Sequence, residues 1–106
     1  MFRDYFFRRV HPLYEVRSEL AVSVRQIESG AWQSAYEFEL CDSGLGTPFA
    51  GNFETREQAG RAGLLGLHLD LFRAKGWKPG KDKQRAVELL AMVEEELCPA
   101  QAVFKF

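Results

Sequence analysis

The sequence predicts an α+β fold: a three-stranded antiparallel β-meander followed by two α-helices (βββαα), with a helix packed on the sheet. Three observations carry this expectation. Residues 32–40 alternate aromatic or apolar side chains with acidic or small ones. Residues 55–72 repeat apolar side chains at helical spacing behind a capping pair. Residues 82–97 place Ala86, Leu89, Leu90, Val93 and Leu97 on one helical face. All of it fits one domain, residues 1–106.

The meander takes residues 14–53. In residues 14–27, Val16, Leu20, Val22 and Val24 fall mostly on alternate positions, and Glu28-Ser29-Gly30 supplies a turn. The second strand sets Trp32, Ser34, Tyr36, Phe38 and Leu40 on one face and Gln33, Ala35, Glu37 and Glu39 on the other. Residues 42–48 are rich in breakers and read as a loop. Pro48 then opens a short third strand over residues 49–53, at an edge or a strand start.

The first helix is expected over residues 55–75. Gly60, Gly63 and Gly66 recur every third residue, which suits either a phosphate-gripping loop or a helix that is closely approached. The helix is the better reading. Thr55 and Gln58 form a capping-box pair, and Lys75-Gly76 gives a basic last turn with a glycine stop. Ala59, Ala62, Gly63 and Gly66 make a small-residue seam. Leu64, Leu67 and Leu71 flank it on one side, and Leu65, Leu69 and Phe72 on the other. Glu57, Arg61, His68 and Lys75 mark the solvent face. Each interior glycine costs roughly 0.8–1 kcal/mol against alanine, so a close neighbour must compensate. The second helix, residues 82–97, follows the turn Lys78-Pro79-Gly80-Lys81, with Asp82 as its N-cap and Cys98-Pro99 as its stop. The tail, residues 99–106, shows a short strand-like alternation.

Composition bounds the function. A net charge of −1 gives no overall electrostatic case for a nucleic-acid or membrane binder. No apolar run reaches the roughly 18–20 residues of a membrane span, and MFRDYFFRRV lacks the uninterrupted apolar core of an export signal. The expected location is cytoplasmic, with Cys41 and Cys98 as free thiols.

Chemistry finds little support. His11 and His68 have no metal spacing, Cys41 has no sequence-adjacent base, and Glu37 and Glu39 read as a solvated sheet face. The expectation is therefore no enzyme, no cofactor and no metal. Interaction candidates are clearer. The aromatic and basic N-terminal segment, residues 1–13, interleaves Phe2, Tyr5 and Phe6 with Arg8 and Arg9; its rings either cover the sheet or bind a partner. Lys78, Lys81, Lys83 and Arg85 crowd the start of the second helix, and Glu94, Glu95 and Glu96 its end. Both clusters oppose the helix macrodipole, either by accident or as a surface kept for a partner.

The segment Phe53-Glu54-Thr55-Arg56-Glu57-Gln58-Ala59, following a meander, resembles the junction of HicB-type antitoxins, which have a partial RNase-H-like fold and bind a toxin. The same element order also resembles the double-stranded RNA-binding domain. The likeness spans residues 14–75. It departs at Gly44-Leu45-Gly46-Thr47-Pro48, where the antitoxin loop has proline, glycine and cysteine, and at the helix start, where only Arg56 and Arg61 stand for the RNA-binding lysines. No site residue is carried over.

The expected function is a non-catalytic protein-interaction module, a small adaptor, inhibitor or regulatory protein with a protein partner. The alternative is a nucleic-acid-binding domain using the N-terminal arginines and the basic turn. A homodimer is also expected, because one helix leaves Trp32, Tyr36 and Phe38 short of cover. The segments carrying Phe2, Phe6, Phe7, Phe104 and Phe106 either fold back over their own sheet or cross to a second copy, the dimer being the preferred reading.

Overall fold

A computed structural model describes residues 4–10, 19–41 and 43–97. Along them run β1 (Asp4–Val10), β2 (Glu19–Gln26), β3 (Trp32–Glu39), β4 (Gly44–Gly46), β5 (Ala50–Phe53), α1 (Arg56–Arg73) and α2 (Lys81–Leu97). One turn of 3-10 helix, Ala74–Gly76, follows α1.

The strands form one antiparallel sheet in the order β1-β2-β3, with β4 and β5 sharing the far edge of β3. The β2–β3 hairpin turns at Gly30, whose φ of +92° suits a residue without a Cβ, and Ile27 N donates to Ala31 O at 2.9 Å. Its register sets Val22 opposite Tyr36 and Leu20 opposite Phe38, so the apolar sets of both strands share one face.

Among the described residues the sheet has five strands where the sequence predicts three. Residues 4–10 of the N-terminal segment form a strand, β1. Its alternation is obscured because the register slips between Tyr5 and Phe7; Phe6 is half-buried and its neighbour Phe7 is in the core. Residues 42–48 are not wholly loop, since Gly44–Gly46 pairs with residues 37–39 as β4. Ladder hydrogen bonds come from the backbone, so two glycines around Leu45 leave no side-chain pattern to read. Residues 14–18 lie outside the described residues, as do the predicted stop at Cys98-Pro99 and the tail.

Thr55 caps α1 as expected. Gln58 N donates to Thr55 Oγ1 at 3.1 Å, and Thr55 N donates to Gln58 Oε1 at 3.3 Å. The three glycines are helical, and each lies over a different strand. A Cβ on Gly60 would overlap the Phe6 ring of β1, and one on Gly63 would overlap Val22 of β2. One on Gly66 would sit 3.0 Å from the Tyr36 ring of β3. Close approach to the sheet therefore explains the row. Near the start of α1, Arg56 Nε also donates to Asp4 Oδ2 at 3.0 Å, tying it to β1.

Gly76 does not stop the helix by a left-handed turn; among the described residues only Gly30 and Gly51 have positive φ, and α1 tightens into the 3-10 turn instead. Asp82 is likewise not the N-cap. Helix α2 already begins at Lys81, and Asp82, in its first turn, accepts a hydrogen bond from Ser43 Oγ at 2.9 Å. Ala86, Leu89, Leu90 and Val93 join Leu64, Leu67, Leu71 and Ala74 in one core with Phe7, Leu20, Val22 and Phe38.

Candidate interaction surface

The rotation of α1 about its own axis is fixed from two sides. Its glycines must face the sheet. Asp70 must as well, because its carboxylate accepts a hydrogen bond from the Tyr36 hydroxyl. Tyr36 is itself held by Thr47: Tyr36 N donates to Thr47 Oγ1, and Thr47 N to Tyr36 O, both at 3.0 Å. Burial, then the hydrogen bond and charge of Asp70, push the Tyr36 phenol up to about 12. Arg73 Nη1 lies 3.4 Å from Asp70 Oδ1 on the outer side.

With that rotation set, Leu65, Leu69 and Phe72 point to solvent, 52%, 52% and 50% exposed. They recur at i, i+4 and i+7, a continuous stripe about 10 Å long over two turns. The sequence places them on a flank of the helix to be covered. Only one flank is covered: α2 packs on Leu64, Leu67 and Leu71, the sheet takes the glycine side, and among the described residues nothing takes the third. Two cationic side chains border the stripe: Arg61 is exposed, and Lys75 Nζ lies 4.8 Å from the Phe72 ring centroid. The His68 ring stacks on Phe72 at 6.0 Å. Trp77, 40% exposed, follows at the end of the 3-10 turn.

The residues singled out from sequence fall in three places. Phe2 lies outside the described residues. Phe6 packs over Gly60 and serves the core rather than a free surface. Tyr5 is exposed, and the guanidinium carbon of Arg8 lies 5.3 Å from its ring centroid; Arg8 also pairs with Glu19 at 3.2 Å. Arg9 covers the Phe7 ring at 4.8 Å and reaches Glu96 at 3.6 Å, which brings the basic strand and the acidic end of α2 together. Arg9, Met92, Glu95 and Glu96 line a small cavity of 210 Å³ there, and Glu94 is exposed one residue before. Lys78, Lys81, Lys83 and Arg85 stand at the other end of α2, roughly 20 Å away along the helix. Lys78 and Lys81 are exposed, and Lys83 and Arg85 half-buried.

A shallow apolar groove of 370 Å³ lies between β5 and α1, lined by Ser34, Tyr36, Thr47, Phe53, Ala62 and Gly63 among others. It contains no acid–base pair. Cys41 is a half-buried free thiol, and among the described residues no three His, Cys, Asp or Glu side chains converge to hold a metal. Among the described residues no helix is long and apolar enough to cross a membrane. Comparison with protein families, curated proteins and solved structures finds no match to this chain.

Proposed function

We propose that this chain is a non-catalytic protein-binding module that presents the outer face of α1 to a protein partner. One observation carries the reading: Leu65, Leu69 and Phe72 stand half-exposed in line on a helix that cannot turn them inward. Large apolar side chains contiguous on a helix face mark interaction sites, and anchors at i, i+4 and i+7 suit helix docking. Sequence reasoning identified all three residues as apolar but not as the exposed set. Periodicity gives their common side; only the packing of α2 decides which side stays open.

The nucleic-acid alternative has weaker support. Arg8 and Arg9 each face a carboxylate, and the basic turn lies at the far end of α2 from them. Phosphate contacts need cations that converge.

The test is capture with the tagged protein from its native cell, comparing the unaltered chain with Leu69→Asp and Phe72→Ser. A protein retained by the unaltered chain and lost by both variants, with melting temperature preserved, is the expected result. Equal capture by all three sinks the reading. So does salt-sensitive duplex RNA binding that both variants retain.

A further inference from the structure

We infer that the occupant of the α1 face is an acidic amphipathic helix of another protein; this rests on the docking reading above. Charge comes first. The border of the stripe carries Arg61 and Lys75 on one side and Arg73, paired with Asp70 at 3.4 Å, on the other. The α1 carboxylates are placed elsewhere: Asp70 is turned in to Tyr36, and Glu57 lies in the first turn, ahead of the stripe. A partner whose own apolar stripe is flanked by carboxylates meets cations on both sides.

The same charges disfavour a second copy. Antiparallel self-pairing centred on the middle of the stripe, between His68 and Leu69, brings Arg61 of one copy within one residue of Lys75 of the other. Parallel pairing sets Arg61 against Arg61 and Lys75 against Lys75. Either arrangement puts like charges side by side where they are partly desolvated.

Form comes second. The three anchors span two helical turns, so ridges of a partner helix can seat between them. An extended strand, by contrast, gains its affinity from backbone hydrogen bonds, which a helix face does not offer.

The experiment uses fluorescence anisotropy with the full chain and labelled synthetic helical peptides of about 20 residues, long enough to be helical. All share leucines at i, i+4 and i+7; their flanks are glutamate, glutamine or lysine. The glutamate peptide should bind roughly tenfold more tightly than the glutamine peptide, as two or three rim pairs would give, and the lysine peptide least. Leu69→Asp should abolish binding, and Arg61→Glu with Lys75→Glu should reverse the order. Should Leu69→Asp lower the melting temperature, Leu65→Ser supplies the same readout. Equal or better binding of the glutamine or lysine peptide overturns the acidic partner while leaving helix docking standing. Sedimentation showing a dimer that Leu69→Asp dissociates replaces the partner with a second copy. No peptide binding, with stripe-dependent capture retained from the cell, overturns the helix and keeps the docking face. No binding in either experiment overturns both.

Discussion

Gly63 faces Val22, a branched side chain fully buried in the central strand and stiff about its first torsion. Adding one methyl there forces helix and sheet apart. Overpacking of this kind costs typically 1–3 kcal/mol, and the helix-propensity gain returns about 1. Gly63→Ala should therefore lower stability by about 1–2 kcal/mol in urea unfolding. Gly80→Ala is its control: nothing lies within 4 Å of that position and its φ is not positive, so a gain of about 0.4–1 kcal/mol is expected. Tyr36 gives a pH prediction. Its folded pKa, about 12, lies above the ordinary 10, so the fold favours the neutral phenol. The associated stability is full below pH 10 and is lost as pH rises through 12. Tyr36→Phe should remove that alkaline loss. Melting curves from pH 8 to 12 of both proteins check it.

At the scale of elements, α1 combines what the sequence disclosed and what it hid. The Thr55–Gln58 capping box is local chemistry, legible because both partners lie within four residues. Thr55→Ala should cost about 1 kcal/mol. The buried face of α2 was equally plain, since Ala86, Leu89, Leu90 and Val93 follow its period. Strand β1 was not, because a bulge shifts Phe6 and Phe7 out of alternation, and β4 has no side-chain pattern at all. The candidate site was hidden for another reason. Leu67 and Leu69 look alike in a sequence, yet one is fully buried and the other half-exposed. Leu67→Ala should cost about 2–5 kcal/mol, while Leu69→Ser should stay near 0.5 kcal/mol or below. Comparable losses at both would mean that the outer stripe is covered in solution.

For the whole molecule, two helices and one sheet leave two unlike surfaces. The α1 face is apolar with a basic border. The sheet face away from α1 carries polar pairs, with Arg8 on Glu19, Arg25 Nε donating to Gln33 Oε1 at 2.9 Å, and Arg25 lying 4.4 Å from the Phe49 ring centroid. The expected dimer rests on rings in need of cover; of these, Phe7 is in the core and Phe6 lies over Gly60, while Phe2, Phe104 and Phe106 lie outside the described residues. Like charges border α1, so pairing through that face is disfavoured and the protein should sediment as a monomer at micromolar concentration. A dimer dissociated by Leu69→Asp would show the stripe pairing with itself.

The tie between Arg56 and Asp4 joins residues 52 apart in sequence. The β2–β3 hairpin and α1 need only neighbouring residues to begin; β1 pairs with its sequence neighbour β2, but reaches α1 only across this long separation. Closing so long a loop is entropically late work. Phe7→Ala should then speed unfolding in stopped-flow experiments and leave the refolding rate nearly unchanged, while Val22→Ala slows refolding. That pair of rates would make the contact of the first strand with α1 the latch of the molecule, last to shut and first to lift.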